Sequence, residues 1–116
     1  MASSVMPATP PHIVRLDAMH FHRPDISPSY PHIYIEYPST LPSEIAQRVH
    51  PATIIITTRV PLLASHLSAA TTPHLRLVCV MAIGTDMIDL DACRARGIVV
   101  CNVPGASNEA VAEHAF

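Results

Sequence analysis

The chain has 116 residues, 49% of them hydrophobic, a size and composition that suit one domain burying roughly 65% of its unfolded surface. Its net charge of −2, with seven Lys and Arg residues thinly scattered, leaves no basic stripe for a nucleic-acid backbone, so nucleic acid is not an expected partner. No apolar run approaches the ~20 residues that span a bilayer, and residues 1–11 carry neither an early positive charge nor an apolar signal core; no membrane association is expected, and the default compartment is the cytoplasm.

Twelve prolines fall almost wholly between apolar runs and punctuate the chain into short strands and helices. His12 to Leu16 (HIVRL) is the first predicted strand. A loop rich in Pro, His and Ser follows from Asp17 to Pro31. Ile33 to Tyr37 is a second strand, ended by Pro38. A short amphipathic helix is predicted from Thr40, with Thr40 as its cap, Pro42 in the first turn, Glu44 near the positive end, and Leu41, Ile45 and Val49 repeating at i, i+4. Thr53 to Thr57 (TIIIT) is β-branched throughout, as in a strand covered on both faces. Leu62 to Leu67 reads as a further helical turn or two.

Leu77 to Ala82 (LVCVMA) is another buried strand. The helix from Asp89 to Arg96 has every end signal in place: Asp89 to cap, Asp91 near the N-terminus, Arg94 and Arg96 near the C-terminus, and Gly97 where a left-handed cap belongs. Ile98 to Cys101 (IVVC) gives one more buried strand. A last helix begins at Ser107, pairing Val111 with Ala115 and Ala112 with Phe116; with no Gly, Lys or Arg to stop it, the polypeptide is expected to continue beyond Phe116. Strands alternating with helices at this spacing predict an α/β fold on an open parallel sheet.

Such sheets bind ligands at the carboxyl ends of their strands, which directs attention to Thr57-Thr58-Arg59, Ile83-Gly84-Thr85-Asp86 and Asn102-Val103-Pro104-Gly105. Gly84 directly follows a predicted strand, where a glycine can expose backbone N–H groups to a carboxylate or phosphate, or serve only a tight connection. Arg59 can pair with an anion or lie in solvent. Asn102 can orient a substrate or bond its own backbone in a turn. The three cysteines, Cys79, Cys93 and Cys101, read as small core residues of a reduced protein, and the spacing of the eight histidines fits no structural-zinc pattern. No GxGxxG, phosphate loop or nucleophile elbow is present, and the adjacent Glu113 and His114 fall on different helix faces.

The stretch from Leu75 to Phe116, LRLVCVMAIGTDMIDLDACRARGIVVCNVPGASNEAVAEHAF, resembles the D-isomer-specific 2-hydroxyacid dehydrogenases, a family that includes glycerate, phosphoglycerate, D-lactate and formate dehydrogenases. The match rests on Ile83-Gly84-Thr85-Asp86 after a strand, the helix ending Arg96-Gly97-Ile98, the turn Cys101-Asn102-Val103-Pro104, and Val111-Ala112-Glu113-His114; Thr53 to Leu62 fits more loosely. The resemblance implies a flavodoxin-like substrate domain, incomplete here, with residues 1–116 as its N-terminal part and residues 107–116 as the start of the interdomain helix. A Rossmann domain and a C-terminal return to the substrate domain would follow.

It further implies an oxidoreductase that interconverts a D-2-hydroxyacid and a 2-oxoacid with NAD or NADP, the cofactor being bound mainly by the following domain, in an enzyme that is a homodimer at full length. In these terms the Ile83-Gly84 backbone holds the substrate carboxylate, Asn102 helps position substrate, Arg59 faces substrate, and Ile83 also touches the cofactor. The family's carboxylate-clamping Arg and its acid-base His lie later in family members, beyond the stretch matched here, and His114 is not that His. No catalytic residue is therefore expected within these 116 residues, which by themselves should be inactive; the histidine spacing gives no expected metal ligand either. The alternative is a non-catalytic small-acid-binding or partner-docking module.

Overall fold

The computed structural model describes residues 10–18, 32–81 and 85–102. Among these residues five short strands lie in one sheet: β1 (His12–Arg15), β2 (Ile33–Glu36), β3 (Ile54–Thr57), β4 (Leu77–Val80) and β5 (Val99–Asn102). Their order is β2-β1-β3-β4-β5 and every pairing is parallel. The chain thus begins inside the sheet, steps outward to β2, returns past β1 to β3 and continues to the other edge. This 2-1-3-4-5 order is the flavodoxin-like arrangement, with its reversal point between β1 and β3.

Alternation along the central strands explains why their sequences read as unbroken apolar runs. Val14, Ile55, Val78 and Val80 point to one face, where they pack with Ile45, Val49, Leu62, Leu67, Ile88, Cys93 and Ile98. Ile13, Ile54, Ile56, Leu77 and Cys79 point to the other and cluster with Met81, Tyr34 and Cys101. A strand buried on both faces needs apolar side chains at consecutive positions, as Ile54-Ile55-Ile56 supplies. Arg15, fully buried in β1, interrupts that pattern.

The edge strand β5 differs from expectation. Ile98 to Cys101 reads as buried, yet β5 forms the sheet edge and Val99 is 60% exposed. An apolar composition does not distinguish a covered strand from an edge one. The β2–β3 connection also departs in detail: a 3₁₀ turn (Pro42–Glu44) leads into α1 (Ile45–Val49), with Leu41 rather than Thr40 at the cap position. The Thr40 hydroxyl instead donates to the Leu16 carbonyl at 2.7 Å, and the backbone N–H of Leu41 is taken by the Glu44 carboxylate at 2.9 Å. Ile45 and Val49 are buried as their spacing predicts, whereas Leu41 is 62% exposed.

Between β3 and β4 the chain makes turns rather than a regular helix, with N–H bonds from Leu67 to the Leu63 carbonyl and from Thr72 to the Ser68 carbonyl. The helix α2 (Leu90–Arg96) follows its sequence signals closely. Asp89 accepts the Ala92 N–H at 3.0 Å, Gly97 has φ of 70°, and the N–H groups of Gly97 and Ile98 return to the carbonyls of Arg94 and Cys93. That pairing closes the orphan carbonyls of the last turn, and the left-handed residue it requires is the one glycine tolerates. The helix predicted from Ser107, and most of the loop predicted from Asp17 to Pro31, lie outside the described residues.

Candidate functional site

The carboxyl edge of the sheet is organised around Asp17, which follows β1 and is buried. Its carboxylate accepts the Thr58 N–H at 2.8 Å through Oδ1 and 3.1 Å through Oδ2, and the Arg59 N–H at 2.6 Å through Oδ2. Two consecutive backbone donors beyond the end of β3 are thereby held by the segment that leaves β1, across the reversal point of the sheet. Thr57 stabilises the same turn from within, its hydroxyl donating to the Val60 carbonyl at 3.0 Å and accepting the Val60 N–H at 3.1 Å. The backbone around Arg59 is therefore fixed on both sides.

Its side chain is not so held. Arg59 is exposed, and its guanidinium has no partner among the described residues. The Thr58 hydroxyl is buried and also unpaired among the described residues. An unmet buried hydroxyl is costly, roughly 1–3 kcal/mol. Together they present one cation and one hydroxyl at the edge where parallel sheets bind ligands.

The turn is tied to the connection beyond β4. Leu62 forms a parallel bridge with Ile88; its N–H reaches the Met87 carbonyl and its carbonyl accepts the Asp89 N–H, both at 3.0 Å. Asn102 ends β5 on the same edge, in register with Val80 and exposed. β3 and β5 flank β4, so at a strand spacing of ~4.8 Å Asn102 stands about 10 Å across the sheet from the end of β3. Arg59 and Asn102 thus share one edge. Ile83 and Gly84, the two other positions expected to meet substrate, lie outside the described residues.

Sequence reasoning did not identify Asp17 and gave Thr58 no role of its own. Asp17 reads as the first residue of a polar loop, and its partners are more than 40 residues away, so no local pattern marks it. Thr58 falls within the triplet singled out for its position, but its unpaired hydroxyl emerges only from packing.

Basic and imidazole side chains collect instead at the amino edge, in a groove lined by His12, His50, His74, Arg76 and Arg96. Part of that group closes backbone carbonyls: Arg96 donates to Leu67 and Thr72, each at 2.7 Å, and His50 Nδ1 lies 2.9 Å from the Thr71 carbonyl. Among the described residues no cluster of three or more His, Cys, Asp or Glu is placed to hold a metal ion, and no helix is long and apolar enough to cross a membrane.

Residues 15–116 match the family described as D-isomer specific 2-hydroxyacid dehydrogenase, catalytic domain. A glycerate dehydrogenase of Methylorubrum extorquens is 40% identical over 87 residues, covering 74% of this chain and 27% of the relative. Two solved structures share the fold. An acyclic imino acid reductase in complex with NADPH and D-arginine superposes with a TM-score of 0.61 at 22% identity, covering 89% of this chain and 34% of that one. An NAD-dependent formate dehydrogenase from Staphylococcus aureus in complex with NAD gives 0.58 at 21% identity, covering 90% and 34%. The chain therefore spans about a quarter to a third of the length of these proteins. Sequence match and sheet order agree, and the chain belongs to the D-isomer-specific 2-hydroxyacid dehydrogenases, matching their catalytic domain.

Proposed function

We propose that this chain supplies substrate-carboxylate recognition to an NAD(P)-dependent oxidoreductase that interconverts D-2-hydroxyacids and 2-oxoacids. The observation that carries the reading is the Asp17 clamp on the Thr58 and Arg59 backbone, which fixes a turn at the sheet's reversal point while leaving the Arg59 guanidinium exposed. A fixed backbone removes part of the ordering cost when an anion arrives, leaving only the Arg59 side chain to be ordered. Family membership, and the glycerate dehydrogenase likeness, support the substrate class.

In this reading the backbone at Ile83 and Gly84 donates to the carboxylate, Asn102 orients the rest of the acid from the same edge, and Arg59 adds the opposite charge. Family membership supports a nicotinamide cofactor held mainly by the family's Rossmann domain, with Ile83 as the contact from this side. That cofactor supplies or accepts the hydride. The present residues bind and orient the acid.

Kinetics of the full polypeptide test the proposal. Reduction of 2-oxoacids with NADH or NADPH is expected, and Arg59→Ala should raise KM roughly 10- to 150-fold, the value of a charge-assisted hydrogen bond of about 1.5–3 kcal/mol, with kcat less affected. No turnover of any 2-oxoacid, or an Arg59→Ala variant with wild-type KM, contradicts it.

A further inference from the structure

Cys79 and Cys101 are paired residues on the neighbouring parallel strands β4 and β5, and their sulfur atoms are 3.6 Å apart. Both belong to the cluster on one face of the sheet, whereas Cys93 sits in α2 and packs into the other. We infer that Cys79 and Cys101 form a redox-active dithiol that closes reversibly to a disulfide, a modification site just inside the carboxyl edge.

The geometry permits closure with small movement. Strands in a sheet lie ~4.8 Å apart, within the roughly 4.4–6.8 Å between Cα atoms that a disulfide spans, so the sulfurs need only approach from 3.6 Å to about 2.05 Å. Sequence neighbours cannot produce this proximity; it follows from the β4–β5 register, which sets Cys79 opposite Cys101. A bond across directly paired strands sits near the short end of the allowed range and is readily reduced, as a switching pair requires.

The two thiols differ in access. Cys79 is fully buried, while Cys101 is partly exposed. The Cys101 thiol beside it, and then burial, push the Cys79 thiol up, so Cys101 is the first to react. With a small disulfide such as glutathione disulfide as oxidant, the Cys101 thiolate attacks one glutathione sulfur, forming a mixed disulfide and expelling one glutathione thiolate, which takes up the Cys101 proton. Cys79 then loses its proton and attacks Cys101 Sγ; the mixed disulfide breaks and the second glutathione leaves as thiol. Two protein thiols and one glutathione disulfide become one protein disulfide and two glutathiones, with two electrons passing to the oxidant. Disulfides of this transient kind are compatible with a reducing compartment.

Cys79 lies one residue before the end of β4 and Cys101 one before the end of β5, so the bond would lie immediately behind the edge that carries Asn102. The chemistry itself does not depend on the enzymatic reading. The folded full polypeptide, incubated with glutathione disulfide, blocked with N-ethylmaleimide and digested, should yield a peptide pair linked through Cys79 and Cys101, two hydrogens lighter than the dithiol, with Cys93 unlinked. Dithiothreitol should restore both thiols, and Cys79→Ala should trap glutathione on Cys101. In the wild-type protein, glutathione that persists on Cys101, or maleimide on both cysteines after oxidation, overturns the inference whatever the variant does.

Discussion

The Asp17 carboxylate accepts the backbone N–H of Thr58 at 2.8 Å across 41 residues of sequence, joining the exit of β1 to the exit of β3. With the Arg59 N–H on the same carboxylate, the contact decides where the candidate cation stands. Removing it leaves two donors without an acceptor in a largely dry site. Asp17→Ala should therefore cost roughly 1.5–3 kcal/mol by urea denaturation of the full polypeptide, and Asp17→Asn distinctly less because one oxygen remains. Equal losses in the two variants would show that the carboxylate pairs do not hold the turn.

Thr58 offers the opposite trade. Its hydroxyl is buried without a partner among the described residues, so Thr58→Val should leave the melting temperature unchanged or higher while weakening substrate binding at the edge. A clear drop in melting temperature would mean that the hydroxyl is satisfied in the folded protein.

The contrast between these two residues and α2 shows what the sequence makes legible. Asp89 and Gly97 act within a few residues of their own helix, so spacing alone reveals them, and the structure places both where local rules put them. Ile54 to Ile56 announces a doubly covered strand by composition. Asp17 works across the sheet, Thr40 bonds Leu16 rather than its own helix, and Val99 is exposed because its strand is last in order; each depends on topology, which no local pattern encodes. Arg59 and Asn102 were legible as carboxyl-edge positions because parallel topology fixes which strand ends carry ligands.

Gly97 tests the local rules by themselves. A Cβ there would meet nothing within 4 Å, so the cost of Gly97→Ala is the left-handed backbone alone, about 1–2 kcal/mol, and Gly97→Asn should cost less. Either variant should retain wild-type KM, since α2 reaches the edge only through its Asp89 end. A neutral Gly97→Ala would deny the left-handed conformation.

Alkaline stability should depend on Tyr34. Burial, followed by the bond its hydroxyl donates to Glu36 at 3.0 Å, raises its pKa from 10.0 to about 12, with the nearby Arg15 pulling partly back. The folded state holds the proton more tightly than the unfolded one. Its contribution is therefore complete below pH 10 and is lost as pH rises toward about 12. Denaturant titrations across that window should fall more steeply for wild type than for Tyr34→Phe; parallel curves would contradict the shift.

Steady-state kinetics of Gly84→Ala in the full polypeptide bear most directly on the proposed carboxylate site: if the Gly84 backbone holds the carboxylate, a Cβ there would push the ligand away without altering any charge. KM for the 2-oxoacid should rise roughly 10- to 150-fold, the loss of one charge-assisted hydrogen bond, while melting temperature and cofactor affinity change little. A folded variant with wild-type KM would remove the carboxylate from this edge, and a lowered melting temperature with unchanged KM would leave Gly84 as a turn residue and nothing more.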